Sequence, residues 1–257
     1  MADAEWAAGG PGAAGVHSDR EADSRRVFWH SVAMSVVGVD GCKRGWIAIA
    51  LDAARSRGHF VEHLDELGDT ITDVDAVAID IPIGLPATSR RQADDAARDL
   101  LGPRRSSVFY APVREAITAA THAEASAISR RMTGHGISQQ SFALAPKILE
   151  AEQWAASTTV PVWEVHPEVS FAIMLGHPAE HPKSTWSGLR ERLQALRDAG
   201  IIIDDIGTAG AKAGADDVLD AAVAAWSAAR LHRGDAISLP DPPETAPDTA
   251  RPIAIWA

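Results

Sequence analysis

The stretch that decides the fold is VVGVDGCKRGWIAIALD, residues 36–52. It contains two short apolar runs joined by a turn that Gly41 and Gly45 bound, and this pattern predicts a β-hairpin. Asp40 ends the first run. Because a carboxylate at the end of a buried strand is costly to desolvate, Asp40 requires a partner, which is either the turn backbone that it caps or a bound cation.

The same arrangement recurs in DAVAIDIPIGLP, residues 75–86. Its continuous apolar run is typical of a central strand that is covered on both faces. Pro82 has no N–H for a ladder hydrogen bond, so strand pairing should stop at or just after Asp80. Because two acids at strand ends can share a metal ion, Asp40 and Asp80 are candidate ligands.

The last long helix is predicted over residues 214–232 and carries a third group of acids. Asp216 and Asp217 suit a helix N-terminus, where the macrodipole stabilises negative charge. Asp220 lies among small apolar residues, which the dipole does not explain. Since Asp217 and Asp220 are three residues apart, they share one face of the helix.

A further strand is predicted over residues 160–168 from its β-branched alternation. The two-residue period places Glu164 and His166 on one face, with Trp163 and Val165 on the other. Glu164 should have a partner, because acids in the middle of strands usually do. His166 is either a hydrogen-bonded histidine at a strand end or a functional one.

The charge of the chain is unevenly distributed. The net charge of −11 argues against nucleic acid as a partner. Residues 86–147, however, carry nine basic side chains against five acidic ones. A basic segment beside an acidic site is expected of a protein that holds phosphates near bound metal, and the alternative is a solvated helix face. The loop Arg104-Arg105-Ser106-Ser107 is basic, rich in hydroxyls and suited to phosphate oxygens.

The remaining pattern indicates one α/β domain over residues 34–257, with a helical insert at about 86–155. Residues 1–33 lack any structural period and are expected to be a disordered or mis-annotated extension, with Met34 as an alternative start. This segment lacks the features of a signal peptide, and the chain has no apolar run long enough to span a membrane, so we expect a cytoplasmic protein. Cys42 is the single cysteine, which excludes an intrachain disulfide and a multi-cysteine metal site.

The other predicted elements are a strand at 58–64, a short helix or loop at 64–73, and helices at 89–101, 116–131, 138–154 and 186–199. Pro146 is expected to kink or divide the helix at 138–154.

This order of elements, with acids on the first strand, the fourth strand and the last helix, resembles the RNase H-like fold, in which such acids bind two divalent metals. The turn that contains Asp217 and Asp220 is similar to the final-helix motif of the Holliday-junction resolvases of that superfamily. The resemblance implies a mixed five-stranded sheet flanked by helices, with a helical insert after the fourth strand.

At closer range, residues 36–240 are similar to the family known as domain of unknown function 429, described as predicted RNase H-like nucleases. The motifs that carry this resemblance are, in chain order, VDGCKRGW, AIDIPIGLP, RRSSVF, KILEAE, EVHPEVSF, HPKST and DDVLDA. The resemblance implies that Asp40, Asp80, Asp217 and Asp220 bind two Mg²⁺ or Mn²⁺ ions. Glu164 is included among the catalytic acids only because it belongs to the family motif EVHPEVSF.

The implied activity is hydrolysis of phosphodiester bonds. Two such ions about 4 Å apart activate a water and stabilise the leaving oxygen of an in-line displacement. The side chains expected to bind the nucleic acid substrate are Arg104, Arg105, Ser106, Ser107, Lys147, His166 and Lys183.

Two alternatives stay open at this point. The opening strand–Asp–Gly–turn also resembles the start of the actin-like kinases, although a second half and a glycine-rich adenosine loop are not evident. The other alternative is a scaffold or nucleic-acid-binding module of the same fold without turnover. The oligomeric state is open as well, a homodimer being one option.

Overall fold

The computed structural model describes residues 34–52, 55–245 and 251–257. The extension predicted over residues 1–33 lies outside the described residues. Within the described part, the strands form one five-stranded sheet and one two-stranded sheet.

The predicted hairpin forms the antiparallel half of the larger sheet. It consists of β1 (Val36–Cys42) and β2 (Gly45–Asp52), and β3 (Arg55–Val61) pairs with β2 along its whole length. β1 continues for two residues past Asp40, which pairs with Ile47 across the hairpin. β3 begins at Arg55, before the predicted start at residue 58, because its pairing with β2 extends to Asp52 opposite Arg55.

The parallel half consists of β4 (Ala76–Asp80) and β5 (Val162–Glu164), which complete the sheet order β3-β2-β1-β4-β5. β4 ends at Asp80, as expected from the proline two residues later. β5 is shorter than predicted, because its last ladder partner is Ile79 and because Pro167 opens a helix that ends the extended chain. This mixed sheet and its flanking helices confirm the predicted α/β fold class.

The helices are, in chain order, α1 (Leu67–Thr70), α2 (Gln92–Leu101), α3 (Arg114–Ile117), α4 (His122–Thr133), α5 (Gln139–Ala143), α6 (Ala145–Ser157), α7 (Pro167–Leu175), α8 (Trp186–Asp198) and α9 (Ala215–Arg233). Helices α2 to α6 form the predicted insert between β4 and β5.

Three helical predictions need correction. The helix expected at 116–131 is split into α3 and α4, because the Thr121 side chain accepts a hydrogen bond from the Glu124 N–H and caps a new helix. The helix expected at 138–154 is divided into α5 and α6, with Pro146 in the first turn of α6, where proline is tolerated. The third correction is α7, whose first two residues, Pro167 and Glu168, were expected to belong to the strand at 160–168.

The sheet is covered on both faces. On one face, the small side chains of α9 pack against β1 and β4. A Cβ on Gly38 of β1 would lie 2.0 Å from the backbone nitrogen of Ala225, so only glycine permits this approach. On the other face, Ile148 and Ala151 of α6 pack with Val37 and Trp46.

A second hairpin packs beside the main sheet. β6 (Ser238–Glu244) and β7 (Ile253–Trp256) are antiparallel, and Ile253 lies in one core with Ala93 and Ala97 of α2. No helix in the described ranges is long and apolar enough to cross a membrane.

Candidate metal centre

Asp40 and Asp80 lie side by side where the parallel pairing of β1 and β4 stops. The register pairs them as the last matched residues of the two strands. Because side chains alternate between faces, Asp40 shares the face of Val36 and Asp80 shares that of Ala78, and both of these pack in the core with α9. The two carboxylates therefore point to the same face at the same end of the sheet.

Asp220 joins them because α9 approaches β1 so closely. A Cβ on Gly38 would be 2.1 Å from the carbonyl oxygen of Ala221, the residue after Asp220. This contact brings the N-terminal turns of α9 over the end of β1. As a result, Asp40, Asp80 and Asp220 each offer a carboxylate oxygen, and these oxygens lie within 4.8 Å of one another. We call these three residues the acid cluster.

The acid cluster is electrostatically crowded. Burial raises the pKa of Asp40 well above its ordinary value, and repulsion from Asp80 and Asp220 raises it further. Burial and the charge of Asp220 likewise raise the pKa of Asp80. Burial raises the pKa of Asp220 to about 6, in spite of a neighbouring lysine that lowers it. Ionising all three carboxylates together is therefore costly, and additional positive charge reduces that cost.

Lys183 supplies part of that charge. Its Nζ donates a hydrogen bond to Asp220 Oδ2 at 2.5 Å. The other oxygen, Asp220 Oδ1, is buried and has no hydrogen-bond partner within the described ranges. The Asp220 side chain is only 2% exposed, so this oxygen is a strong acceptor without a donor. Clustered carboxylate oxygens with an unused acceptor are the donor set that hard divalent cations prefer, so the cluster could hold a metal ion.

Asp217, the fourth predicted metal ligand, lies at the edge of this cluster. Its Oδ2 accepts a hydrogen bond from the Gly214 N–H at 2.9 Å, which caps α9. Its charge still contributes to the raised pKa of Asp40. Asp217 is therefore close enough to act electrostatically, although its carboxylate is used by the helix N-terminus.

Glu164 lies on the opposite face of the sheet from the acid cluster. Arg91 donates to both of its oxygens at 2.8 Å, and the Ile83 N–H donates to Oε2 at 2.7 Å. Arg91 also binds Asp94, whose second oxygen accepts from the Ala111 N–H at 2.9 Å. The partner that a mid-strand acid was expected to have is thus an arginine of the insert, and we call Arg91, Asp94 and Glu164 the arginine network.

His166 is the residue that precedes α7. Its Nε2 lies 3.4 Å from the carbonyl oxygen of Ser107, and its Nδ1 is buried without a hydrogen-bond partner among the described residues. Burial lowers the pKa of His166 to about 4, although the nearby Glu168 opposes the shift. The ring is therefore neutral at ordinary pH.

The basic loop is only partly open. Arg104 donates from Nε to the Ala179 carbonyl at 3.0 Å and from Nη2 to the Glu180 carbonyl. Arg105 is exposed and has a long contact of 3.9 Å with Asp99. The exposed hydroxyl-bearing residues of the loop are Ser106 and Ser107, and the Ser107 hydroxyl donates to the Arg104 carbonyl.

Lys147 approaches from the other side of the sheet. Its Nζ donates to the Gly45 carbonyl at 2.7 Å and lies 4.0 Å from the centre of the Trp46 ring. Burial lowers its pKa, while nearby acids, including Asp40, oppose that shift. This lysine supports the hairpin turn in the described structure.

Two buried arginines escaped the sequence analysis. Arg91 and Arg192 lie within the helices predicted at 89–101 and 186–199, and no local pattern marks either of them as buried. Arg192 donates to both oxygens of Glu168, at 2.7 to 2.9 Å. The motif EVHPEVSF contains both acid partners, Glu164 and Glu168, and is the signal that could have indicated buried cations nearby.

Comparison with known proteins yields one family. The family described as "Protein of unknown function (DUF429)" matches residues 38–245, which is more than half of the chain. No match was found among curated proteins or among solved structures. The matched range includes the whole acid cluster, Lys183 and the arginine network.

Proposed function

Because the chain belongs to the DUF429 family, whose description names no activity, we propose from its acid cluster that it is a divalent-metal-dependent nuclease that hydrolyses phosphodiester bonds. The observation that carries this proposal is the convergence of Asp40, Asp80 and Asp220. Three crowded carboxylates with an unpartnered buried oxygen are costly for the fold, and a bound cation relieves that cost.

The residues divide into three roles. Asp40, Asp80 and Asp220 hold the metal, and Asp217 adds negative charge at the rim of the same site. Two Mg²⁺ or Mn²⁺ ions, when bound, supply an activated water and stabilise the leaving oxygen of a phosphodiester. Glu164 acts from the opposite face, where it ties the end of β5 to the insert.

Substrate contacts come from the basic loop. Arg105 and Ser106 are exposed and can donate to phosphate oxygens, and the Ser107 hydroxyl can do so once it releases the Arg104 carbonyl. Arg104 orients this loop through its bonds to the segment that carries Lys183. Neutral His166 can exchange a hydrogen bond with the substrate, and Lys147 shapes the hairpin turn beside Asp40.

One feature of the fold favours this proposal over the actin-like kinase. That fold needs two complete halves, whereas the described residues contain a single five-stranded sheet and a small hairpin. In a scaffold without turnover, a buried carboxylate oxygen that lacks a donor would destabilise the fold without any compensating function.

The test is cleavage of labelled single strands, RNA–DNA hybrids and branched DNA, with ATP hydrolysis measured in the same preparations. We expect Mn²⁺ or Mg²⁺ to support cleavage, chelation to abolish it and Asp80→Asn to remove it. The matched control is Asp99→Asn, since the Asp99 side chain is 80% exposed on α2. Cleavage that persists in Asp80→Asn, or ATP hydrolysis without cleavage, would contradict the proposal.

A further inference from the structure

Lys183 is the cation that the acid cluster already contains. Its ammonium binds Asp220 at 2.5 Å. Burial lowers the pKa of this ammonium, but the charges of Asp220, Asp80 and Asp40 together outweigh burial and raise the pKa above its ordinary value. All three members of the cluster are therefore close enough to Lys183 to stabilise its charge.

The segment that carries Lys183 is held from several directions. The backbone N–H groups of Glu180 and His181 donate to Glu191 at 2.7 and 3.0 Å. Buried Arg192 donates to the His181 carbonyl at 3.1 Å, and Arg104 donates to the Glu180 carbonyl.

The segment is also fixed on the C-terminal side of Lys183. The Thr185 hydroxyl donates to the Pro182 carbonyl at 2.8 Å. A Cβ on Gly188 would lie 2.0 Å from the same carbonyl oxygen, so the first turn of α8 packs directly on this segment. Since the backbone is anchored on both sides of Lys183, the position of this residue beside the acid cluster is fixed by the fold.

A charge count shows what this lysine does. When all three carboxylates of the acid cluster are ionised, they and the Lys183 ammonium carry a net charge of −2. One divalent ion neutralises the charge of these four groups, whereas a second would leave them at +2, an excess that the charge of Asp217 at the rim offsets only in part. Excess positive charge on groups this close together, two of which are buried, opposes the binding of a second ion.

Resting on the metal centre of the proposed function, we propose that Lys183 occupies the place of a second divalent ion, so that the free protein binds one ion. The second ion enters only after the ammonium leaves Asp220, and the anionic phosphate of the substrate is the group that can draw it away. Lys183 is thus a positioning residue that couples the uptake of metal to the binding of substrate.

The experiment is calorimetric titration of the protein with Mn²⁺ alone at pH 8. We expect wild type to bind one ion per chain at the site, identified as the binding that Asp40→Asn loses. Lys183→Met should bind two ions, because removal of the ammonium frees the second position and raises the negative charge of the site. Lys183→Arg keeps the cation and should resemble wild type.

The matched control is Lys212→Met, which removes a lysine that lies over the Phe60 ring on β3. It should bind Mn²⁺ as wild type does. If Lys183→Met does not fold, Lys183→Gln serves in its place, because its amide can donate to Asp220 without a charge.

Each outcome separates this inference from the proposed function. Two ions in the free wild-type protein, or a single ion in the uncharged Lys183 variants, would overturn the role of Lys183 and leave the metal centre intact. Absence of any Mn²⁺ binding that depends on Asp40 would overturn the metal centre itself. One bound ion without cleavage of any nucleic acid would support Lys183 and contradict the nuclease.

Discussion

The acid cluster and the arginine network both contain buried carboxylates, but these are neutralised to different degrees. In the arginine network, Arg91 donates hydrogen bonds to two acids, and all four carboxylate oxygens of Glu164 and Asp94 accept hydrogen bonds. In the acid cluster, Lys183 is the cation beside three acids and donates to Asp220, whose Oδ1 accepts no hydrogen bond from the described residues. The arginine network is therefore complete within the protein, whereas the acid cluster has an acceptor to spare and could hold a metal ion.

The shape of the cation explains part of this difference. A guanidinium is planar, has five donors and binds a carboxylate through two parallel hydrogen bonds, so it completes a static network. An ammonium is a compact charge on a flexible stem and can leave one acceptor for another. Arginine in the network and lysine in the cluster are therefore suited to permanent and exchangeable pairing, respectively.

The largest expected effect on stability is that of Arg91→Met. Arg91 is 1% exposed, and its removal leaves Glu164 and Asp94 buried without their cation. Breaking a buried ion pair from one side costs about 3–5 kcal/mol in the free energy of unfolding. Urea unfolding followed by tryptophan fluorescence measures this loss.

The control is Arg105→Met, whose exposed side chain should change the stability by less than about 0.5 kcal/mol. Equal losses in both variants would contradict the view that the arginine network stabilises the fold.

The next largest effect separates a metal ligand from a turn cap at Asp40. Asp40→Asn relieves repulsion in the cluster, so the metal-free variant should be as stable as wild type or more stable. At a free Mn²⁺ concentration 100 times the dissociation constant, the ion should stabilise wild type by about 2.7 kcal/mol and the variant much less. Thermal unfolding with Mn²⁺ and with chelator measures both quantities.

Asp99→Asn is again the matched control and should respond to Mn²⁺ as wild type does. The alternative is that Asp40 only caps its turn, since its Oδ1 accepts from the Gly41 N–H at 2.7 Å. In that case asparagine, which caps equally well, would leave the response to metal unchanged.

A smaller effect distinguishes the cluster by its pH dependence. The folded protein holds a proton on Asp220 up to about pH 6, whereas the unfolded chain releases it near 3.8. Because the folded state binds more protons between these values, the free energy of unfolding of metal-free wild type should fall as the pH rises through this window. Relative to Asp220→Asn, we expect a fall on the order of 1–3 kcal/mol between pH 4 and pH 7. Urea unfolding in chelator at several pH values measures it, and a difference that rises with pH would contradict the crowding of the cluster.

The smallest expected effect concerns the basic loop. Arg104 uses its donors within the protein, as Arg91 does, whereas Arg105 is exposed. Arg105→Ala should therefore weaken the binding of nucleic acid and reduce the slope of log affinity against log salt by about 0.9, the effect of one lost phosphate contact. Fluorescence anisotropy at several salt concentrations measures the slope.

Arg131→Ala removes an exposed arginine of α4 and is the control. Equal slopes for both variants would indicate that Arg105 is a solvated surface residue that does not contact phosphate.

The sequence by itself predicted the hairpin, the end of β4 and the last helix. That acids from these elements would meet was implied by the resemblance to the RNase H-like fold. The elements themselves depend on local rules: an apolar run predicts each strand, Pro82 stops the ladder, and helical spacing places Asp217 and Asp220 on one face of their helix. Such periods are complete within a few residues, so they can be read without knowledge of the fold.

The tertiary structure alone decided how the charges are paired. Glu164 and Arg91 are 73 residues apart in the chain, and Lys183 and Asp220 are 37 apart. No local period links such positions, because partners are chosen by the packing of the insert on β5 and of the Lys183 segment on α9. Sequence patterns could place acids on the sheet, but only the folded chain determined which of them an arginine neutralises and which remain available to a metal.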